Sequence, residues 1–299
     1  MVKKAKKMEK TKKFNVITIA SSYDKSAKIK EVASTCFEFL TQKGIEVQVH
    51  ETLRSVFPKK YYCTNKKIIE KSKLIISIGG DGTMLGLARD LGSKGIPILG
   101  INSGQIGFLS DVDPDSISKS LTDIINGKYI QDSRSFLEAY VKDSISDKLA
   151  LNEIVIHSGS VASMIEFDLF VDENFVYTLR ADGIIISTTT GSTAYSLSAG
   201  GPVIHPDLDL ISVVPMFPHS LSASPFLVGP NSPLKIIIKN NVISSKISFD
   251  SSLSLKLKKN QEINIYLSRK KLKLIHPLDH DFFNTCRNKL GWSKGIIQE

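Results

Sequence analysis

The sequence predicts two domains: an α/β domain built on a parallel, doubly wound sheet, then a β-rich domain. Three observations carry this. Up to about residue 130, short apolar runs alternate with amphipathic helical patterns, the signature of βαβ units. One run, Leu74–Ile78, is apolar without alternation, as a strand buried on both faces of a parallel sheet must be. Beyond residue 130 closely spaced strands and turns replace the helices.

Taken in order, Phe14–Ala20 is the first predicted strand. Ile29, Val32, Phe37 and Leu40 then mark one face of a helix, which Gly44 ends, and Ile45–Val49 is the second strand. Residues 52–73 read as a loop followed by a short helix. Leu74–Ile78 and Pro97–Ile101 are the next strands, separated by a helix over 84–91, and an amphipathic helix runs from Pro114 to Ile125. The second half offers strands at Phe136–Val141, Glu153–His157, Met164–Val171 and Phe175–Leu179, with Asp172-Glu173-Asn174 as a hairpin turn. Ile184–Ser187, Leu234–Lys239, Ile247–Phe249, Leu253–Leu257 and Ile263–Leu267 continue the series, and Asp281–Leu290 reads as a helix. The expected division is a basic, disordered tail over 1–13, an α/β domain over 14–130, a β-rich domain over 131–274, and a segment over 275–299 returning to the first domain.

Composition narrows the classes. The 299 residues are 41% hydrophobic and 23% charged, as in a soluble globular protein. No apolar run approaches the ~18–20 residues of a membrane helix. Cys36, Cys63 and Cys286 are scattered and odd in number, which fits free thiols in a reducing, cytoplasmic setting. The net charge of +9 invites nucleic acid, but seven lysines crowd into residues 3–13. The Lys256–Lys273 cluster alternates with Leu and Ile like a half-exposed strand. Neither nucleic acid nor membrane is therefore expected as a partner, while a general attraction for polyanions such as nucleotides remains.

The chemistry concentrates in two glycine-rich stretches. After Leu74–Ile78 the chain turns through Gly79-Gly80-Asp81-Gly82-Thr83 into a helix, whose first N–H groups favour phosphate. Asp81 is out of place in such a cradle unless it binds a metal or removes a proton. An ordinary strand–turn–helix junction with an N-capping Asp or Thr is the alternative. The turn matches neither GxxxxGK[ST] nor GxGxxG. Residues 182–202, DGIIISTTTGSTAYSLSAGGP, offer hydroxyls, close-approach glycines and Tyr195 as a stacking surface, or else a closely packed helix of small residues. Asn152-Glu153 opens an apolar strand and reads either as an edge turn or as an amide aimed at a ribose or base. His157, His205, His219, His276 and His280 show no metal-ligand spacing and read as structural or surface residues.

These stretches together resemble the NAD kinase family, in its proteobacterial form. GGDGTMLG, GINSGQIGFLSD at 100–111, LNEIVIH at 151–157, DGIIISTTTGSTAYSLSAGGP and VPMFPHSLSASP at 214–225 carry the resemblance, with IHP at 275–277 and FFNTCRNKLGWSK at 282–294. It implies a two-domain kinase, with an N-terminal nucleotide-binding domain and its active site in a cleft between the domains. The implied reaction moves the γ-phosphate of ATP to the 2′-hydroxyl of the adenosine ribose of NAD, with Mg2+ bridging ATP oxygens. Asp81 is similar to the family's general base. Gly79, Gly80, Gly82 and Thr83 would cradle phosphates, and Asn102 and Phe108 would line the same site. Asn152 and Glu153 match the pair that contacts ribose and base; Thr193, Ala194, Tyr195 and Ser198 match the adenine-side pocket. Arg180 and Asp182 match the nicotinamide end, which a neighbouring subunit can complete, so a homo-oligomer, dimer or tetramer, is implied. Thr189, Ser224 and Ser251-Ser252 depart from the family pattern, where Pro, Arg and Gly-Gln or Ser-Gln are usual. The competing readings are a diacylglycerol- or sphingoid-type lipid kinase sharing the GGDGT turn, and a non-catalytic dinucleotide sensor.

Overall fold

The computed structural model describes residues 14–21, 26–104, 107–142, 148–160, 163–220, 222–240 and 245–292. The lysine-rich stretch 1–13 lies outside the described residues, as do Gln105 and Ile106 of the NSGQIGF segment. The chain divides into two compact units: one comprises the residues up to Ser133 and those from Leu272 onward, the other Arg134–Lys271.

The first unit opens with β1 (Val16–Ala20), α1 (Ala27–Gln42), β2 (Glu46–His50), β3 (Tyr62–Cys63) and α2 (Asn65–Lys71). It continues with β4 (Leu74–Ile78), α3 (Asp81–Asp90), β5 (Ile98–Ile101) and α4 (Ile117–Ile125). The strands are all parallel in the order β3-β2-β1-β4-β5. Between β1 and β5, every residue of β4 is buried, which is why its sequence shows no alternation. Helix α1 buries Ile29, Val32, Ala33, Cys36 and Leu40, one stripe at 3.6-residue spacing, and Gly44 leaves it with φ of +71°. Strand β3 escapes a sequence reading because two paired residues leave no periodicity to see.

The second unit is antiparallel: β6 (Ile130–Val141), β7 (Lys148–Ala150), β8 (Glu153–His157), β9 (Ile165–Val171), β10 (Asn174–Ser187), the four-residue helix α5 (Tyr195–Ser198), β11 (Ile211–Pro218), β12 (Phe226–Val228), β13 (Leu234–Ile238), β14 (Lys246–Phe249), β15 (Leu253–Lys256) and β16 (Glu262–His276). Its main order is β15-β14-β8-β10-β9-β13-β16, with β11 also on β10. Phe136, Phe167, Phe249 and a layer of Ile and Leu side chains are fully buried within it. Asp172 and Glu173 take φ of +50° and +63° at the β9–β10 hairpin, as a tight two-residue turn requires.

The two expected strands Phe175–Leu179 and Ile184–Ser187 are one 14-residue strand, β10. The polar residues between them stay in register with β9, β8 and β11. Strand β16 likewise runs beyond the expected Leu267 to His276. Its end pairs parallel with β5, Leu274 opposite Ile98 and Ile275 opposite Leu99. The chain then enters α6 (Phe282–Leu290), capped by the Asp281 carboxylate, which accepts from the Phe283 N–H at 2.9 Å.

Candidate active site

The turn after β4 begins with Gly79 at φ +145°, where its N–H donates to Ile101 of β5 at 2.9 Å. Gly80, not Asp81 or Thr83, is the N-cap of α3, and Asp81 is the first residue of the helix. The capping alternative therefore fails for Asp81, because its carboxylate is committed elsewhere. Oδ2 accepts from the Phe108 N–H at 2.9 Å, and Oδ1 from the Leu109 N–H at 3.1 Å and the Ser110 hydroxyl at 3.3 Å. Gly107 makes this possible: a Cβ there would overlap the Asp81 carboxylate. A carboxylate oxygen has two lone pairs, so Oδ2 keeps one for a further proton or donor. Around Gly80 and Gly82 a Cβ would meet no atom within 4 Å, so the start of α3 is open to a ligand.

Asn102 lies just past β5 and is 1% exposed. Its Oδ1 accepts from the Gly104 N–H, while its Nδ2 is buried with no acceptor among the described residues. An unmatched buried donor is costly, and a ligand oxygen would satisfy it. Thr83 is buried on the inner side of the turn, and a Cβ on Gly79 would run into its hydroxyl. Phe108 faces Phe282 of α6 at 6.3 Å between ring centres, with Lys289 Nζ 5.9 Å from the Phe108 ring.

In the second unit a different carboxylate organises a separate cluster. Asp250, at φ +47° in the β14–β15 turn, accepts from the Leu151, Asn152 and Glu153 N–H groups at 2.8, 2.8 and 3.2 Å. Glu153 is 4% exposed; burial, then the adjacent Asp250 charge, pushes its carboxyl up from 4.5 to about 8. Its Oε2, like the Oδ1 of Asn152, is buried without a partner among the described residues. At neutral pH Glu153 is a protonated acid, able to donate a hydrogen bond. The threonine-rich turn is laced onto the same backbone. Thr188 donates its N–H to Asn152 O at 2.9 Å and its hydroxyl to Leu151 O at 2.6 Å, and Gly191 packs where a Cβ would overlap Asn152 O.

Thr193 closes a short 3-10 turn and Ala194 breaks it from α5. Tyr195 is 43% exposed and Ser198 is exposed, so both face a ligand-accessible surface. The small residues also serve packing, since a Cβ on Gly201 would overlap Ser196. Arg180 and Asp182 sit two residues apart on one side of β10, Arg180 exposed and Asp182 half-buried. The structure thus gathers Gly79, Gly80, Asp81, Gly82, Thr83, Asn102 and Phe108 in the first unit. It gathers Asn152, Glu153 and the Gly191–Ser198 segment in the second.

Comparison with known proteins follows the same division. Residues 15–129 match the family described as ATP-NAD kinase N-terminal domain, and residues 151–277 match ATP-NAD kinase C-terminal domain. The chain belongs to the NAD kinase family. An NAD kinase of Marinobacter nauticus is 42% identical over 277 residues, covering 91% of this chain and 94% of the relative. One of Salmonella choleraesuis is 43% identical over 266 residues, covering 87% and 91%. Among solved structures, yeast NADH kinase complexed with NADH superimposes with a TM-score of 0.88 at 25% identity, covering 96% of this chain and 91% of that one. An NAD kinase from Archaeoglobus fulgidus in complex with ATP gives 0.71 at 26% identity, covering 92% and 97%.

Against the NAD kinase pattern, Thr189 is buried, its carbonyl accepting from the Ser192 hydroxyl at 2.7 Å, so hydrogen bonds hold this turn where a proline is usual. Ser224 is exposed, and Ser251 occupies a left-handed turn position at φ +56°. No sequence motif marks the role of Asp250 or any grouping of the histidines. Yet Asp111, His276 and His280 bring metal-capable atoms within 4.8 Å of one another. Separations of 165 and 169 residues hide such a group from any spacing motif.

Proposed function

We propose that this chain transfers the γ-phosphoryl group of ATP to the 2′-hydroxyl of the adenosine ribose of NAD, giving NADP, with Asp81 as general base. The carrying observation is the Asp81 carboxylate. Three donors from Phe108–Ser110 fix its orientation, a lone pair remains on Oδ2, and the backbone beside it is open at Gly80 and Gly82. A carboxylate would repel phosphate in a pure anion site; as the acceptor of the ribose proton it belongs there. Asn102 Nδ2 and the first turn of α3 supply donors for phosphate oxygens. This donor set suits phosphate more than a bare cation, so Mg2+ would enter on ATP, where it neutralises charge on the phosphate oxygens.

The second unit reads the nucleoside. Asn152 and the protonated Glu153 present buried, unmatched polar atoms to ribose hydroxyls or a base edge, and Tyr195 offers a ring to stack. Thr193, Ala194 and Ser198 line the adenine side, and Arg180 with Asp182 the nicotinamide end. We further read the enzyme as cytoplasmic and as a homodimer or homotetramer. The three free, buried cysteines support a reducing compartment, and no helix among the described residues is long and apolar enough to cross a membrane. Exposed Phe175, Val176, Phe217 and Leu227 on the second unit support self-association.

A coupled assay for NADP formation from ATP, Mg2+ and NAD tests the assignment. Asp81→Asn should fold and bind NAD yet lose about 10²–10⁴-fold in kcat. Near wild-type turnover in that variant would overturn the role given to Asp81.

A further inference from the structure

We propose that Asp111, gripped by His276 and His280, is a pin that positions the Asp81 base through the Phe108–Ser110 loop, making all three positioning residues for phosphoryl transfer. The inference rests on the reading of Asp81 as that base. Its first support is chain connectivity. The loop donates to Asp81 from Phe108, Leu109 and Ser110, and the very next residue is Asp111. On the far side the loop is fixed by Val112, which bridges Ile101, donates to Gly100 O at 3.1 Å and accepts from the Asn102 N–H at 3.0 Å. Asp111 is thus the last place where the loop can be held before it rejoins the sheet.

It is held twice. Its Oδ2 accepts from Nδ1 of His276 at 2.8 Å and from Nδ1 of His280 at 2.6 Å, and the two imidazoles stack with ring centres 4.0 Å apart and planes inclined by 19°. Asp111 is 10% exposed, His276 1% and His280 14%. Burial alone would push the Asp111 carboxyl up; the hydrogen bonds from His276 and His280, with their charge, outweigh it and hold the carboxyl well below the usual range. Both donors fall on Oδ2, while Oδ1 is buried with no partner among the described residues, so the histidines fix which oxygen faces them and with it the backbone that carries the carboxylate. Both histidines come from the segment around the end of β16, which also supplies α6, whose Phe282 and Lys289 lie against Phe108. One returning stretch therefore grips the loop at residue 108 and at residue 111. Asp81 shares no hydrogen bond with Asp111 or the histidines, so their effect runs through the three donors between.

The distances favour hydrogen bonding over a bound cation. At 2.6 and 2.8 Å the nitrogens sit at charge-assisted hydrogen-bond range from Oδ2, closer than the ~3.3 Å that tetrahedral ligands about 2.0–2.1 Å from zinc adopt.

The test is steady-state kinetics on His280→Ala, His280→Asn and Asp111→Asn, each also combined with Asp81→Asn, with melting temperature and NAD binding measured alongside. His280→Ala should lose about 10–100-fold in kcat while KM for NAD and ATP stays within about twofold, the cost of a base misplaced by a fraction of an ångström. His280→Asn, whose amide replaces the Nδ1–H donor, should recover most of that loss. In the Asp81→Asn background, His280→Ala should remove little more, because the pin acts only through Asp81. Full kcat in His280→Ala and Asp111→Asn, or the same loss with and without Asp81, overturns the pin while leaving the base intact. Undiminished turnover in Asp81→Asn alone overturns the base instead. A stoichiometric transition metal retained by the wild-type protein and lost from His280→Ala would also overturn the pin, in favour of a metal site.

Discussion

Glu153 offers a measurement whose sign and size both follow from the structure. It is 4% exposed, next to Asp250, and its carboxyl is pushed from 4.5 to about 8 by burial first and by that neighbouring charge second. Between those values the native chain holds a proton that the unfolded chain releases. Stability contributed by this residue is therefore complete at low pH and falls as pH rises, the reverse of a salt-bridged carboxylate. Integrated from pH 5 to pH 8, the loss is about 3–4 kcal/mol. The perturbation is Glu153→Gln, a neutral side chain of the same shape that cannot ionise. Urea unfolding of both proteins at several pH values, followed by circular dichroism, gives the difference, in which every titrating group that does not interact with Glu153 cancels. Wild type and variant should diverge steadily from pH 5 to pH 8, wild type losing ground, and run parallel above about pH 9. Parallel curves throughout, or a wild type that gains on the variant as pH rises, would refute the claim that Glu153 is a neutral acid in the folded protein.

Two other substitutions probe the carboxylates. Gly107→Ala puts a methyl group into the Asp81 carboxylate, so kcat should fall at least about tenfold with a smaller change in NAD affinity, read by kinetics and calorimetry. Asp250→Asn removes the charge that three backbone N–H groups bind and that repels Glu153. It should lower stability by about 3 kcal/mol and weaken NAD binding. It should also bring the Glu153 titration part of the way back down, because burial, the larger cause, persists; carbon-detected NMR of labelled glutamate would follow it.

What the sequence reveals here is whatever leaves a local pattern. Leu74–Ile78 is buried on both faces, so composition and length define it without ambiguity, and the turn it feeds stands out because an acid among glycines is chemically awkward. Glu153–His157 is legible for the same reason. Strand β10 reads as two strands because Asp182-Gly183 looks like a turn, whereas Gly183 is there so that Ile156 O can pass close by. Strand β11 is obscured by Pro215 and Pro218, residues that usually argue against a strand, although Pro215 stands opposite Ile184 in the ladder. In the site, Asp81 and Asn152 are visible because each lies inside its own motif. Asp250 and the Asp111–His276–His280 group act on residues far along the chain, and such partnerships are created by folding rather than by spacing.

The way β16 leaves one unit for the other has a consequence for how the protein is made. The stretch from Arg134 to Lys271 is contiguous, so on a ribosome everything its sheet needs has emerged before Leu272 appears. The earlier unit is the one kept waiting: on its outer side β5 meets only the Val112 bridge, and Asp111 has no histidines, until the residues around Leu274 and His280 arrive. The domain synthesised first is thus completed last, across a long sequence separation that slows its final closure. Damage confined to α6 and the end of β16 should accordingly appear as a defect of the first domain, with the second domain assembled as before.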